Sequence, residues 1–273
     1  AVSGMAHAWM SGDFNGTVDI GGSIDATNYR QKWEWEAGTG LNGFYNTLSE
    51  LTDNDTKLTI TVTDNKPILL GRTKEAFSTP VTGVGAIPLI SLSDYQGGPV
   101  SLQMTPVVDK GEATITLPVK DTENDNVIGQ AVVNVSFSGV VGRGNGSGGG
   151  DLKSVACSDT NPARYSIFKG GVLADNRALR VGSDAAAAVA KFGGMSAADV
   201  LAQIQDVYPG VVDLTNETLS RADEDMQYND GTVVSASYAL GIASGQAIDV
   251  TFNAPVAQSI KWSAPLNVAV TYN

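Results

Sequence analysis

A run of alternating apolar and polar residues near the N-terminus has no folding partner beside it in the sequence. The residues on its apolar face are Phe14, Gly16, Val18, Ile20, Gly22 and Ile24. A period of two is typical of a β-strand with one apolar face. No Asn-Gly or Asp-Gly turn follows that would fold the segment back as a hairpin. We therefore predict that residues 9–24, the arm, join a sheet that belongs to another molecule.

The residues before the arm resemble the end of a secretory signal peptide. Ala6 and Ala8 form the small-x-small pattern of a cleavage site, which predicts that residues 1–8 are removed and that Trp9 begins the mature chain. An ordinary N-terminus rich in small residues is the alternative. Cleavage would also remove His7, the only histidine.

Composition narrows the classes of function. The 273 residues are enough for one large domain or two small ones, and the net charge of −12 argues against nucleic acid or an anionic membrane as a partner. No stretch approaches the roughly 20 apolar residues that a membrane span needs.

Cys157 is the only cysteine, so an intramolecular disulfide is impossible. The sequence leaves open whether Cys157 is a buried apolar residue or a reactive thiol.

The side chains needed for common catalytic and metal sites are scarce. Without His7 the chain has no Ser-His-Asp or Cys-His arrangement and no His/Cys zinc cluster, so we expect no enzyme, no cofactor and no metal. Residues 121–126 resemble a calcium loop only loosely, because the glycine at the sixth position and the distal glutamate are absent, and a polar turn is favoured. The acidic run at residues 223–225 is expected to be a solvated surface.

Short alternating segments predict an antiparallel β-sandwich. The predicted strands are residues 57–63, 113–119, 128–138, 232–238, 247–252 and 266–273. A glycine-rich stretch, residues 142–150, predicts a flexible linker or loop. Helices are predicted at residues 184–192 and after a capping box formed by Ser196 and Asp199. We therefore predict a sandwich made of residues 25–141 and 223–273, with an α-containing subdomain inserted at residues 142–222.

Two sets of apolar residues have predicted positions in this sandwich. In the last strand, Leu266, Val268, Val270 and Tyr272 share one face. Trp33 and Trp35 also share a face, and they are expected to be core residues rather than a platform for sugar.

Several long strings resemble the FaeG/ClpG-type major subunits of chaperone–usher fimbriae from enteric bacteria. They lie at residues 9–16, 32–35 (KWEW), 56–62 (TKLTITV), 66–77 (KPILLGRTKEAF), 230–236 (DGTVVSA) and 262–268 (WSAPLNV). The match covers most of the chain and weakens over about residues 145–222.

The resemblance implies a mainly β fold, an incomplete immunoglobulin-like sandwich that is completed by donor-strand complementation. The arm of one identical subunit would fill the groove of the next, with Leu266, Val268, Val270 and Tyr272 at the edge of that groove. A periplasmic chaperone would dock on the same edge before an outer-membrane usher assembles the fibre on the cell surface.

The resemblance also implies that the inserted subdomain can bind a host glycoconjugate. Because aromatic rings stack on sugars and polar side chains bond hydroxyl groups, the candidate receptor residues are Asn161, Arg164, Tyr165 and Lys169. Phe168 is a less settled aromatic of the same stretch. The alternatives are that these are ordinary loop residues, and that the subunit is purely structural.

Overall fold

The alternating segments form the strands of a mainly β fold in the computed structural model, which describes residues 11, 18–24, 26–157 and 165–273. The strands are β1 (Trp33–Ala37), β2 (Lys57–Thr61), β3 (Lys66–Thr73), β4 (Pro88–Asp94), β5 (Pro99–Val100), β6 (Gln103–Met104), β7 (Glu112–Asp121), β8 (Val127–Gly144), β9 (Gly150–Val155), β10 (Thr215–Ala222), β11 (Val233–Ile242), β12 (Ala247–Phe252), β13 (Trp262–Ser263) and β14 (Leu266–Tyr272). Helices α1 (Gly182–Lys191) and α2 (Ala197–Val207) lie between β9 and β10, and short 3₁₀ turns lie at Tyr29–Lys32 and Leu48–Glu50.

The strands form two sheets. The larger sheet has the order β1-β3-β11-β8-β12-β2, with β7 and β9 also paired to β8, and the smaller one has the order β14-β4-β5. Among the described strands the pairing is antiparallel, except between β9 and β10. This confirms the predicted class, an immunoglobulin-like antiparallel sandwich.

The main core lies between the two sheets. Ile90 and Leu92 of the smaller sheet and Ile115 and Val135 of the larger one belong to one buried apolar cluster. Trp33 is only 4% exposed, and its indole N–H donates a hydrogen bond of 2.9 Å to the carbonyl of Ala86. The prediction that this tryptophan serves the core is confirmed, because its polar atom is also satisfied inside the protein.

The helices pack on the larger sheet and form a second apolar cluster. α1 contributes Ala185 and Val189, α2 contributes Val200, and the sheet contributes Val140 and Ala239. The predicted capping box is confirmed at the start of α2. The Ser196 hydroxyl accepts a hydrogen bond from the backbone N–H of Asp199, and the Asp199 carboxylate accepts one from the backbone N–H of Ser196.

The glycine-rich stretch is not a flexible linker at its start, and that prediction is wrong there. Gly142 and Gly144 belong to β8, which continues without a break toward the helices. A Cβ atom at Gly142 would lie 2.4 Å from Val200 Cγ1, and one at Gly144 would lie 2.4 Å from Ile204 Cγ2. These glycines are needed because α2 lies too close to the strand for any side chain. Only the turn between β8 and β9 is a loop, and Gly148 adopts a φ of +86° there.

Candidate functional site

The last strand, β14, is hydrogen-bonded on one side only. It pairs antiparallel with β4, with Val268 opposite Leu92, Val270 opposite Ile90 and Tyr272 opposite Pro88. On its other side no described strand pairs with it. That side of β14 therefore presents unpaired backbone donors and acceptors, which form a template for another strand.

The core-facing side chains of β14 are incompletely covered. Leu266, Val268, Val270 and Tyr272 are half-buried and alternate with exposed residues, as predicted. Directly opposite residues of an antiparallel pair share a face, yet Ile90 and Leu92 on β4 are each 5% exposed. The same face is thus buried on β4 and half-buried on β14. We call the unpaired side of β14, with these four side chains, the open edge.

A hydrogen bond between aromatic residues connects the open edge to the other sheet. Trp35 lies on β1, the outermost strand of the larger sheet, and its indole N–H donates to the Tyr272 hydroxyl at 2.9 Å. Burial raises the pKa of the Tyr272 hydroxyl, while the hydrogen bond from Trp35 and the charge of Arg30 act to lower it. The Trp35 ring lies over Gly71, where a Cβ atom would come within 2.2 Å of it. This packing holds one end of the open edge in place.

The described part of the arm is uncovered. Val18, Ile20 and Ile24 are 84%, 93% and 99% exposed. The space around Gly22 is open to 4 Å, and residues 18–24 are in no described strand. Phe14 and Gly16 lie outside the described residues. The three β-branched side chains of the predicted apolar face are thus left uncovered by the described part of the fold.

Of the candidate receptor residues, the structure describes Tyr165 and Lys169. Tyr165 is 44% exposed, and Lys169 is half-buried beside β4, where its carbonyl accepts a hydrogen bond of 2.8 Å from the Ile90 N–H. Asn161 and Arg164 lie outside the described residues. Phe168 is a core residue, fully buried and 5.7 Å from the Trp33 ring in an edge-to-face arrangement.

Sequence reasoning missed an ion pair on the face of β8 opposite the helices. The guanidinium of Arg143 donates to the Glu224 carboxylate at 2.7 Å, and the Tyr228 hydroxyl donates to the same carboxylate at 2.9 Å. Burial, and then the charge of Glu224, raise the pKa of the Tyr228 hydroxyl. The expectation of a solvated acidic surface is wrong for Glu224, which is 1% exposed. The available sequence signal was Arg143, which lies between two glycines of β8. A charged side chain in a strand that packs inside the protein needs a partner of opposite charge.

The remaining candidate sites have structural roles. Residues 121–126 form the polar turn between β7 and β8, as predicted, with a hydrogen bond of 2.9 Å from the Asp121 N–H to the Asn126 carbonyl. Cys157 is 6% exposed, so of the two readings that the sequence left open it is the buried residue.

Within the described ranges, no three His, Cys, Asp or Glu side chains are grouped so that they could hold a metal ion. In the same ranges, no helix has both the length and the apolar character needed to cross a membrane.

Comparison with known proteins extends the resemblance to the whole sequence. A family model described as "Fimbrial, major and minor subunit" matches residues 1–273. The chain is 55% identical to K88 fimbrial protein AB of Escherichia coli over 277 residues, which cover 100% of this chain and 95% of that protein. It is 54% identical to K88 fimbrial protein AD with the same coverage, and 26% identical to the F41 fimbrial protein over 283 residues, again with 100% and 95% coverage, both from Escherichia coli.

Proposed function

The chain belongs to the family of major and minor fimbrial subunits, which assemble into fibres on the cell surface, and we propose that it enters the fibre by donor-strand exchange. The arm of one subunit occupies the open edge of the next. Since its relatives are fimbrial proteins rather than enzymes, the function proposed is assembly and adhesion, not catalysis.

The incomplete burial of β14 is the observation that carries this proposal. Val268 and Val270 have neighbours on the β4 side but only partial cover on the other. An added strand satisfies the free backbone groups through ladder hydrogen bonds and covers the apolar face with alternate side chains. The arm has the matching pattern, because Val18, Ile20 and Ile24 are exposed and spaced for one face of a strand.

The same edge explains the need for assembly partners. An apolar strand edge that waits for its neighbour is an aggregation hazard. We propose that a periplasmic chaperone holds the open edge after export, and that an outer-membrane usher directs its replacement by an arm. Residues 1–8 fit the end of an export signal in this pathway.

A charge on the apolar face of the arm tests the proposal. Val18→Asp or Ile20→Asp should abolish fibres longer than a few subunits, because a carboxylate would enter the apolar groove without a partner. Ser23→Asp is the matched control, since it places the same charge on the polar face of the arm. Fibre length measured by electron microscopy and by size-exclusion chromatography is the readout.

The acceptor function must survive these changes. An Ile20→Asp subunit should still bind a synthetic wild-type peptide of residues 9–26, the arm peptide, because its own open edge is intact. Val270→Asp should abolish that binding, and Thr271→Asp, on the exposed face of β14, should not. Normal fibres from Ile20→Asp subunits alone would refute the arm as the donor.

We also propose that the fibre binds host glycans near the exposed Tyr165, with Lys169, Asn161 and Arg164 as further candidates. Tyr165→Ala should reduce binding of assembled fibres to a glycan array, because an exposed ring can stack on a sugar. Tyr45→Ala is the control, because Tyr45 is 87% exposed and distant in sequence from the insertion. Binding that is unchanged by Tyr165→Ala would remove this site, and no binding to any glycan would favour a purely structural subunit.

A further inference from the structure

The arm begins at the C-terminal end of β14 in its own subunit. The residues that follow the arm form the 3₁₀ turn at Tyr29–Lys32 and continue into β1. Arg30 of this turn lies against the loop before β4, where a Cβ atom at Gly85 would be 3.4 Å from Arg30 Nε. Two residues farther along that loop, Ile87 exchanges backbone hydrogen bonds of 3.2 and 3.0 Å with Asn273, the residue after β14.

This position of the arm decides where the neighbours of a subunit lie in a fibre. Under the proposed function each subunit has two neighbours, one that receives its arm and one whose arm it receives. The neighbour that receives the arm lies near the C-terminal end of β14, because the arm begins there. The other neighbour cannot occupy the same space, so its body lies at the opposite end of the open edge, beyond Leu266. Successive subunits therefore meet through two different surfaces, as in other head-to-tail filaments.

The surface around the start of the arm is basic with an apolar rim. Its exposed members are Arg30, Lys74 and Val84, and we call them the arm root. Lys74 lies beside the 3₁₀ turn, since its backbone N–H donates a hydrogen bond of 2.9 Å to the Lys32 carbonyl. Lys32 pairs with Glu75, whereas no described carboxylate forms an ion pair with Arg30 or Lys74.

The surface beyond Leu266 has the opposite charge. The turn between β7 and β8 contributes Glu123, which is exposed, and Val127 beside the turn is 42% exposed. This turn is held next to the open edge, because the Thr122 N–H donates a hydrogen bond of 3.0 Å to the Lys261 carbonyl. The strand β13, which shortly precedes β14, also pairs with the end of β7. We call Glu123, Val127 and the adjacent Ile260 the receiving end.

Contacts with β4 fix the receiving end and leave its acidic residue available. The Tyr95 hydroxyl, just after β4, donates a hydrogen bond of 3.4 Å to the Asp125 carbonyl. Lys120 lies 5.1 Å from the centre of the Tyr95 ring and pairs with the Asp125 carboxylate at 2.6 Å. Among the described residues no cation forms an ion pair with Glu123. Ile260 is 38% exposed and completes the apolar rim.

We propose that the arm root of one subunit docks on the receiving end of the next, with Arg30 and Lys74 facing Glu123 and with Val84 on the apolar rim. This contact rests on the proposed donor-strand function and adds a second interface between the same two subunits. Each copy has a formal net charge of −12, so two copies repel each other. Opposite charges at the contact offset this repulsion where the subunits meet and favour their encounter in the correct orientation.

The association of one donor with one acceptor tests the contact. The donor is a subunit whose own open edge is filled by the arm peptide, and the acceptor is the Ile20→Asp subunit, which cannot donate. Arg30→Glu in the donor should slow association roughly fivefold at low salt, because like charges then face each other. Glu123→Lys in the acceptor should slow the wild-type donor and restore the rate of the Arg30→Glu donor. These differences should shrink as salt is added, because exposed charges are screened.

Matched controls separate a local contact from an effect of net charge. Lys191→Glu in the donor and Asp206→Lys in the acceptor make the same changes of charge at exposed positions of α1 and α2. Neither should alter the association rate as much as the corresponding variant at the contact. Equal effects of control and contact variants, or slowing by Arg30→Glu that Glu123→Lys does not rescue, would overturn the docking contact.

The arm peptide separates this inference from the proposed function. The peptide ends at residue 26, before Arg30, so Glu123→Lys should not weaken its binding to the acceptor. Intact peptide binding together with association rates that no charge variant changes would overturn the docking contact and leave donor-strand exchange standing. No binding of the peptide to any acceptor would instead remove the proposed function, and the docking contact with it.

Discussion

Two apolar surfaces of this sandwich differ in how far the chain itself covers them. On the larger sheet, α1 and α2 cover β8 and β11, and Val200 and Ile204 are fully buried there. We call this the helical cover. On the smaller sheet, the apolar face of β14 is only half-buried. The chain thus covers one apolar surface with its own helices and leaves the other half-covered, where we propose that the arm of a second subunit binds.

The difference lies in what each surface can tolerate. The helical cover brings α2 so close to β8 that Gly142 and Gly144 are required, because no side chain would fit between helix and strand. The open edge has backbone groups without a strand partner, so it can accept one. Close packing makes the helical cover a fixed part of the subunit, whereas the unpaired backbone groups of β14 leave the open edge able to accept a further strand. Substitutions at the open edge should therefore change the binding of the arm peptide, whereas substitutions under the helical cover should change only the stability of the subunit.

The largest effect is expected at the ion pair of Arg143 and Glu224, which lies on the face of β8 opposite the helices. Glu224→Gln should lower the free energy of unfolding by about 3–5 kcal/mol, because it leaves the Arg143 guanidinium buried without its main counter-charge. Denaturant unfolding of the Ile20→Asp subunit with bound arm peptide is the measurement. Glu75→Gln is the control, since Glu75 pairs with Lys32 at the surface, where ion pairs contribute about 0–1 kcal/mol. Equal effects at the two sites would contradict the buried role.

A cavity under α2 should cost nearly as much and should be independent of the arm. Ile204→Ala should lower the free energy of unfolding by about 2–5 kcal/mol, since Ile204 is fully buried against β8. Leu201→Ala, at a half-buried position of the same helix, should cost less. The dissociation rate of the arm peptide should not change in either variant. A faster dissociation would show that the helical cover and the open edge are energetically coupled, which contradicts their proposed independence.

Much of this architecture could be predicted from the sequence because it follows from local periodicity. The strand β12 and both helices were expected close to their observed bounds, since alternation and a capping box are readable one segment at a time. The shared face of Leu266, Val268, Val270 and Tyr272 was predicted for the same reason.

The errors concern residues whose role depends on distant parts of the chain. Gly142 and Gly144 looked like a linker, because the helix that needs their small size follows more than 50 residues later. Glu224 looked solvated, because Arg143 is 81 residues away. The contact between Trp35 and Tyr272 spans 237 residues and has no local signal. Long-range packing of this kind cannot be read from periodicity alone.

A smaller effect is expected at the open edge, and it should depend on the arm. Val270→Ala removes two buried carbon atoms from the completed groove, which corresponds to about 1.4 kcal/mol and about a tenfold weaker binding of the arm peptide. Thr271→Ala, on the exposed face of the same strand, should leave binding unchanged. Peptide affinity by fluorescence anisotropy is the readout. If Val270→Ala left affinity unchanged, the half-buried face of β14 would not be where the arm binds.

The smallest effect is expected at the start of α2, where it should depend on pH. Ser196→Ala should lower the free energy of unfolding by about 1 kcal/mol, the usual contribution of an N-cap.

Hydrogen bonds from the backbone and hydroxyl of Ser196 lower the pKa of Asp199 below its ordinary value of 3.8. A carboxyl with a lowered folded-state pKa stabilises the fold above its unfolded pKa, and this stabilisation is lost as the pH falls through the folded value. The difference in unfolding free energy between the wild type and Asp199→Asn should therefore be largest near pH 7 and shrink below about pH 3.8. Arm-peptide affinity should be the same in both proteins at pH 7, because the cap belongs to the helical cover, and a change in affinity would mean that the helical cover and the open edge are not independent.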